Sequence, residues 1–476
     1  MPYGGVLPLD RVTQAGTNLW FTTERGGTWD AGTLSRFDLV TREIVQFLSL
    51  DTRPGNNLGA RPEGAVLVIG DEAYFTTKQG GAGDQGSIVR VNLVTGFATN
   101  LYSFPENTAA LRNAGLQTGS TPRGGLTLIG DDLWCMTSAG GISNRGTVVK
   151  FNLTTHMLTV VTNFDGPQLG GQPYGSFVKV GDAYYFNTFT GGSTFGTTSI
   201  TPYTLPDGST LWTTNTLSLG AGTLSRMTFD ESGNPQFARL IDLPGGFCQF
   251  PNSEPTPGGT NYLFFPTSGP NATPGAIVRY EISTGKWTNV WLFPTNAIYQ
   301  TNWGTRPGFN GLTEWQNELY FVNRLGGVSN LGTIVKYSIP SNRLTKLTDL
   351  TGVHPDSLGN PGTGANVGTV VSENDRYYMY FPLARGGAND PAGFTTGLGT
   401  LVRIPLPPPP IQLSLTPAEN NELTLSWTGG YPPFTVEAAG DPANLDWTKV
   451  LEGVTNRSVT ITNVSERAFF RVGGRD

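Results

Sequence analysis

One line of sequence recurs seven times between residues 24 and 405, and this repetition limits the possible folds more than any other feature. Each copy reads Gly-Gly, two residues, Asp or Asn, one residue, Gly, Thr or Ser, and then a strand that carries a basic side chain, with some divergence between copies. The copies lie at 24–39, 78–93, 138–153, 189–229 (split by an insertion), 267–282, 324–339 and 384–405. A unit that recurs about every 58 residues indicates a repeat architecture rather than a set of unrelated domains.

The segments around each copy predict four β-strands per unit. Two apolar segments joined by a tight turn precede the line, as in AVLVIGDEAYFTT, and a further one follows it, as in VTGFATNLYSF. Alternating Val, Ile, Tyr, Phe and Trp favour strands over helices. Because a four-stranded unit cannot bury both of its faces alone, residues 1–406 are predicted to form an all-β, seven-bladed β-propeller. The last unit shows no fourth strand, so how the ring closes stays open.

The composition agrees with an all-β fold rich in turns. The 476 residues include 64 Gly and 34 Pro, nearly twice the usual share, and only 14% are charged. This argues against a helical bundle and a coiled coil, whereas 37% hydrophobic residues can fill a core and so argue against disorder. A net charge of −6 without a basic run argues against a nucleic-acid partner. No apolar stretch reaches about 18 residues, so no membrane span is expected.

The repeated glycines are interpreted as turn chemistry. They fall between the second and third strands of each unit, where a hairpin favours residues at positive φ. The Asp or Asn of the line is expected to hydrogen-bond the local backbone in an Asx turn. Positive φ is predicted for Gly26, Gly80, Gly140 and Gly326, and Asx turns for Asp30, Asp84, Asn144 and Asn330. A Pro-Xaa-Gly step is predicted to open units at Pro2, Pro62, Pro122 and Pro173.

The repeated line resembles the tandem repeats called GloVer, which occur in secreted and surface proteins of bacteria. The resemblance covers roughly residues 2–406, and the fourth and fifth copies depart from the pattern. It implies an exported, propeller-like protein and brings with it no catalytic residues. We therefore expect a secreted or cell-surface protein, although the first residues, MPYGGVLPLD, lack the features of a signal peptide.

A proline run at 407–410 predicts a hinge before a second domain. Residues 411–476 contain several short strand-like segments and are expected to form a small β-sandwich. Trp427 on an early strand and Phe434 on the next resemble the core pair of fibronectin type III-like (Ig-like) modules. Core packing is the expected role of these rings, with sugar stacking as the alternative.

Residues that commonly carry chemistry are scarce. His156 and His354 are the only histidines and Cys135 and Cys248 the only cysteines, so neither a metal centre nor a cofactor is expected. Cys135 is predicted to be a buried small hydrophobe, with a Cys135–Cys248 disulfide as the alternative. No hydrolase, metalloprotease, nucleotide-binding or haem motif occurs. Paired carboxylates could hydrolyse glycosides, and Glu254, Asp242 and Asp356 lie in suitable connections.

Long connections between the units predict a ligand face, because the turns on the opposite side are minimal. Aromatic planes beside polar and basic groups suit carbohydrate. The residues expected to bind ligand are Trp303, Arg306, Tyr174, Tyr299, His354 and Arg123. We expect a non-enzymatic binding or adhesion protein whose partner is a polysaccharide or surface glycan. A polysaccharide-active lyase or glycoside hydrolase and a structural surface-layer or filament subunit are the alternatives, and the oligomeric state stays open.

Overall fold

The computed structural model of the protein is made of short β-strands. It describes residues 3–55, 57–193, 197–204, 210–217, 220–245, 248–268, 275–293, 300, 302, 304–307, 311–350, 360–363, 367–387, 399–417, 422–441, 446–462 and 468–475. One short helix, Ala109–Asn113, has its bounds within these residues. The expectation of an all-β protein is therefore confirmed. In the same residues, no helix combines the length and the apolar character that a membrane span requires.

Seven small sheets follow one another along the described part of the chain, and consecutive strands pair within each. Sheet 1 consists of Thr13–Ala15, Asn18–Thr23, Thr33–Asp38 and Ile44–Ser49. Sheet 2 consists of Leu67–Ile69, Glu72–Thr77, Ser87–Asn92 and Ala98–Ser103. Sheet 3 consists of Thr127–Ile129, Asp132–Ala139, Thr147–Asn152 and Leu158–Asn163. Sheet 4 consists of Val178–Val180, Ala183–Thr188, Thr223–Phe229 and Pro235–Asp242.

The remaining three sheets continue this order. Sheet 5 consists of Thr256–Gly258, Tyr262–Thr267, Ala276–Glu281 and Trp287–Leu292. Sheet 6 consists of Thr313–Trp315, Glu318–Leu325, Thr333–Ser338 and Arg343–Asp349. Sheet 7 has three strands, Thr369–Glu373, Arg376–Leu383 and Thr400–Pro405. The missing fourth strand of the last unit, noted in the sequence, is also missing from the described residues of sheet 7.

Other strands lie in the connections and in the C-terminal part. Two of them pair with the second strand of a sheet: Ser120–Pro122 in sheet 3 and Thr305–Pro307 in sheet 6. Three two-stranded pairs are Tyr3–Val6 with Arg25–Gly27, Asn360–Thr363 with Arg385–Gly387, and Thr197–Thr204 with Thr210–Leu217. The last pair lies within the insertion that splits the fourth copy of the repeated line.

The chain divides into two compact units, the first formed by Met1–Thr369 with Phe381–Val402 and the second by Val370–Tyr380 with Arg403–Asp476. The second unit contains two three-stranded sheets. One consists of Gln412–Pro417, Leu423–Thr428 and Ser458–Ile461, the other of Thr448–Val454, Tyr431–Ala439 and Phe469–Arg475. Trp427 and Phe434 are buried in one apolar cluster, with ring centroids 5.3 Å apart in an edge-to-face arrangement, as expected for core residues. The domain boundaries predicted at the proline run stay a prediction.

The core of the first unit lies between consecutive sheets. One cluster joins Trp20 and Leu34 of sheet 1 to Phe75 and Val89 of sheet 2. Similar clusters join sheets 2 and 3, 3 and 4, 4 and 5, and 5 and 6. Each of the inner sheets therefore buries both faces, as the repeat argument requires.

Both cysteines lie in these cores. Cys135 and Cys248 are buried and free, so the expectation for Cys135 is confirmed and no disulfide joins the two. Burial raises the pKa of each thiol to about 12. Both side chains therefore stay protonated and unreactive near neutral pH.

A repeated hydrogen bond links one sheet to the next near the first strand at five of the sheet junctions. Thr13 Oγ1 donates to the carbonyl of Val66 at 2.6 Å, which ties sheet 1 to sheet 2. Equivalent bonds run from Thr127 to Phe177, from Thr256 to Leu312 and from Thr313 to Gly368. The last one returns to the beginning, because Thr369 Oγ1 donates to the carbonyl of Val12 at 2.7 Å.

A second repeated contact places a proline of one unit against a glycine of the preceding hairpin. A Cβ built on Gly32 would lie 2.8 Å from Cδ of Pro62, and one on Gly399 would lie 2.8 Å from Cδ of Pro8. Pro8 therefore occupies in the first unit the place that Pro62 has in the second. Pro2, which was predicted to open the first unit, lies outside the described residues, and Tyr3–Val6 pairs with the hairpin residues Arg25–Gly27.

Candidate binding site

The Gly-Gly hairpins form the repeated frame beside which the candidate site lies. Gly26, Gly80, Gly140 and Gly326 have φ between 75° and 87°, so the predicted positive φ is confirmed at all four. The side-chain oxygen of Asp30 accepts the N–H of Gly26 at 2.9 Å, and Asp84, Asn144 and Asn330 do the same in their hairpins. The Asp or Asn of the repeated line thus stabilises its own hairpin turn by a hydrogen bond.

The basic residue of the third strand also serves the frame. Lys150 Nζ lies 3.0 Å from Asp132, and Lys336 Nζ lies 2.7 Å from Glu318, in each case within one sheet. Asp242, considered above as a glycosidase carboxylate, has a comparable structural role. It accepts the N–H of Ser193 at 3.1 Å, just as Asp349 accepts that of Val328 in sheet 6. These groups recur from sheet to sheet and therefore do not mark a unique site.

The residue before the proline of each unit has the same unusual backbone but a different side chain. Five such residues have φ between 54° and 62°: Leu7, Arg61, Thr121, Gln172 and Phe250. Four of them donate their N–H at 2.8 Å to a carbonyl of the preceding hairpin: Arg61 to Ala31, Thr121 to Gln85, Gln172 to Arg145 and Phe250 to Ala221. The left-handed conformation costs non-glycine residues about 1 kcal/mol. It recurs whatever the side chain, so the repeat imposes the backbone and leaves the side chain free to vary.

Seven side chains form one continuous row of contacts, which we call the contact row: Glu24, Lys78, Glu63, Arg123, Tyr174, Phe189 and Phe250. Phe250 precedes the proline of its unit, three members follow such a proline, and the other three stand two residues before a Gly-Gly pair. All seven lie next to the hairpins and prolines of sheets 1 to 5. At the charged end, Lys78 Nζ lies 3.4 Å from Glu24 and also contacts Glu63. Arg123 Nη1 lies 3.5 Å from the same Glu63. The four charges alternate in sign and sum to zero.

The other end of the contact row is aromatic. The guanidinium carbon of Arg123 lies 4.6 Å from the ring centroid of Tyr174. The Tyr174 and Phe189 centroids are 4.7 Å apart with a 30° angle between their planes. Phe189 and Phe250 are stacked, with centroids 4.9 Å apart at 20°. All three rings are half-buried, and burial raises the pKa of Tyr174, which therefore stays a neutral hydroxyl donor.

A second polar cluster lies where the first strands of sheets 1, 4 and 5 begin. Arg11 forms an ion pair with Glu254, whose second carboxylate oxygen accepts the N–H of Ser176 at 3.3 Å. Asp10 accepts the N–H of Arg11 at 2.7 Å. Burial raises the pKa of Asp10, although the neighbouring Arg11 charge opposes this shift. The cluster links the segments that precede sheets 1, 4 and 5, and both carboxylate oxygens of Glu254 have a partner in it.

Two of the six residues expected to bind ligand meet in the contact row. Arg123 lies over Tyr174, as described above. Arg306 belongs to the strand Thr305–Pro307, but its side chain is outside the described part. Trp303, Tyr299 and His354 also lie outside the described residues, so the expectations for these four stay predictions.

Sequence reasoning missed the other members of the contact row. Phe189 stands two residues before the Gly-Gly pair of sheet 4 and is easily taken for the end of its strand. Phe250 precedes Pro251, and Glu63 follows Pro62 in the Pro-Xaa-Gly step. An alignment of the seven units on these prolines would have identified them, because the side chains at these positions differ from unit to unit.

A known family of repeats matches the first part of the chain. Residues 3–200 match the model of the Gloeobacter/Verrucomicrobia repeat. No curated protein matches the chain. Among solved structures, a chain of a nidogen/laminin complex is 12% identical, with 70% of this chain and 93% of that chain covered and a TM-score of 0.37.

Two enzymes are similar at the same low level. A protein provisionally identified as a 6-phosphogluconolactonase from Bacteroides uniformis is 13% identical, with 78% of this chain and 95% of that one covered and a TM-score of 0.39. An oligogalacturonate lyase from Vibrio parahaemolyticus is 11% identical, with 68% and 87% covered and a TM-score of 0.32. No activity is carried over from these proteins.

Proposed function

Since residues 3–200 belong to the Gloeobacter/Verrucomicrobia repeat family, we propose that the seven sheets are the blades of one seven-bladed β-propeller. Three observations support this. The sheets follow in chain order, apolar cores lie between consecutive sheets, and the bond from Thr369 to Val12 repeats between sheets 7 and 1 the link seen at four other junctions. We further propose that residues 411–476 form a fibronectin type III-like sandwich, supported by the two three-stranded sheets and the Trp427–Phe434 pair.

We propose that the protein is a non-enzymatic binding protein that acts outside the cell and recognises carbohydrate at the contact row. The single observation that carries this proposal is the row itself. It collects charged and aromatic side chains at positions where the residue type differs between units, as Glu63, Arg123 and Tyr174 do after their prolines, so its composition is not a requirement of the fold. A half-buried stack of rings beside hydrogen-bonding groups is the usual make-up of a sugar site.

Two of the carboxylates considered for glycoside hydrolysis, Asp242 and Glu254, lie in the described residues, and their contacts support a binding function rather than catalysis. A general acid and a general base or nucleophile must both face the substrate. Asp242 instead accepts a hairpin N–H and pairs with Arg239 at 3.1 Å, and Glu254 is held by Arg11 and Ser176. Neither carboxylate is available to act on a glycosidic bond without breaking contacts of the frame. Asp356 lies outside the described residues.

A glycan array combined with an assay for new reducing ends tests the proposal. Wild-type protein should bind a subset of the oligosaccharides and release no reducing ends. Tyr174→Ala should lose binding, because Tyr174 is the centre of the row, between Arg123 and Phe189. Trp29→Ala is the matched control, since Trp29 is an aromatic residue exposed to 47% that packs on Arg53, which is not a member of the row. No binding to any glycan, or release of reducing ends, would contradict the proposal.

A further inference from the structure

We propose that the outer face of Phe250 is the stacking surface for one uncharged pyranose ring, and that the contact row selects neutral rather than acidic glycans. This inference rests on the proposed carbohydrate binding and deepens it. It assigns the role of stacking platform to a residue that the sequence did not single out.

The stacking order shows which ring face a ligand can reach. Tyr174 has Arg123 over its ring at 4.6 Å and Phe189 at 4.7 Å. Phe189 has Tyr174 on one side and Phe250 at 4.9 Å on the other. Phe250 is the last ring of the stack, and no other ring or cation of the described residues contacts it. Among the described residues, Phe250 is therefore the ring at which a ligand can extend the stack, whereas Tyr174 can offer its hydroxyl.

The backbone holds the Phe250 ring in place before a ligand arrives. Its φ of 57° is the one that the repeat imposes on Leu7, Arg61, Thr121 and Gln172. Its N–H is bonded to the carbonyl of Ala221 at 2.8 Å, and its ring rests on Phe189. A ring that is already ordered loses little freedom when a ligand stacks on it, so more of the contact energy is available for affinity.

The charges of the row argue for an uncharged ligand. Arg123 shares Glu63 with Lys78, and Lys78 also faces Glu24, so each cation has an acidic partner. An acidic sugar that approached Arg123 would face the carboxylate of Glu63 and would have to displace it. A neutral pyranose meets no such repulsion and can place one of its C–H faces on an aromatic ring while its hydroxyls bond polar neighbours.

Isothermal titration calorimetry with two hexasaccharides tests the inference. Cellohexaose is uncharged, and hexagalacturonate carries one carboxylate on each unit. Wild-type protein should bind cellohexaose at least tenfold more tightly than hexagalacturonate. Phe250→Leu should weaken the binding of cellohexaose about tenfold. Leucine is chosen because Leu7 occupies the equivalent backbone position in sheet 1, so this variant keeps the fold.

Two further variants separate stacking from structure. Phe250→Tyr keeps the ring and should bind cellohexaose within about twofold of wild type, whereas Trp29→Ala should not change binding. Equal affinity of Phe250→Leu and wild type would overturn the inference. So would preference for hexagalacturonate, or an array on which wild type binds only acidic glycans. In the last case carbohydrate binding survives, whereas binding to no glycan at all overturns the proposed function as well.

Discussion

Arg11 and Glu254 form an ion pair although 243 positions separate them in the chain. Arg11 precedes the first strand of sheet 1, and Glu254 precedes that of sheet 5. The Glu254 side chain is only 10% exposed, and its other oxygen accepts the N–H of Ser176, which precedes sheet 4. One carboxylate thus joins three sheets at their first strands. It acts where the connections of separate repeats converge.

Replacement of Arg11 alone should lower the free energy of unfolding more than replacement of both Arg11 and Glu254. Arg11→Met leaves the buried Glu254 carboxylate without a partner, and we expect a loss of about 2 kcal/mol in the free energy of unfolding, since Arg11 is itself partly exposed. The double variant Arg11→Met with Glu254→Gln should recover part of this loss, because no uncompensated charge remains. Chemical denaturation of both variants measures the difference. A double variant that is less stable than Arg11→Met would contradict this account.

Asp10 should make the protein relatively less stable as the pH rises. Burial holds its pKa above the ordinary value of 3.8, so the folded state keeps the proton to higher pH than the unfolded state does. Its contribution is fully present below the unfolded pKa and is lost as the pH rises through the folded pKa. Asp10→Asn keeps the acceptor for the N–H of Arg11 but cannot ionise. The melting temperature of Asp10→Asn minus that of wild type should therefore increase from pH 4 to pH 7.

Asp30 provides a control of the opposite sign. Partial burial acts to raise its pKa, but hydrogen bonds from Arg25 and Gly26 outweigh it and hold the pKa below the ordinary value. Its contribution is present above the unfolded pKa and is lost as the pH falls through the folded one. Asp30→Asn keeps the Asx turn, since Asn144 and Asn330 fill the same position elsewhere. Its small deficit in melting temperature at pH 7 should shrink toward pH 3.

The frame of this protein was predictable because it repeats. The Gly-Gly line marks a turn whose conformation depends on residues within a few positions of each other, and Gly26 and Asp30 behave as the pattern indicated. Seven copies in phase also predicted small sheets in chain order.

The contact row could not be predicted in the same way. Its contacts join residues as distant as Glu24 and Phe250, and they depend on which connections lie side by side once the sheets are placed. Tyr174 was selected for its residue type and its place in a long connection, yet Arg123 already lies over its ring and Phe189 packs against it. Only the stacking order identifies Phe250 as the end of the row. Residue type predicts that a ring is present but not which of its faces is open.

The glycines of the Gly-Gly hairpins should tolerate substitution by alanine much less well than Gly96, which lies between two strands of sheet 2. Gly140 has a φ of 77°, and an added Cβ would lie 2.7 Å from the backbone of Gly119, which cannot yield as a side chain could. Gly96 has a similar φ of 74°, but nothing lies within 4 Å of the same position. Gly96→Ala should therefore cost about 1 kcal/mol for the left-handed backbone alone. Gly140→Ala should cost at least about 2 kcal/mol more. Equal losses in urea denaturation would mean that packing against the connection does not restrict this hairpin.

The bond between Thr369 and Val12 allows closure of the sheets into a ring to be measured. Thr369 Oγ1 donates to the Val12 carbonyl at 2.7 Å, the same distance that joins Thr256 to Leu312 between sheets 5 and 6. Val12 and Leu312 are both buried, so valine at either threonine leaves a carbonyl without its donor in a site that water does not reach readily. Each Thr→Val substitution should cost about 1 kcal/mol. In a closed ring the two losses are equal, and Thr369→Val also speeds amide hydrogen exchange in Thr13–Ala15. A Thr369→Val variant as stable as wild type, beside a destabilised Thr256→Val, would mean that sheets 7 and 1 are not joined in solution.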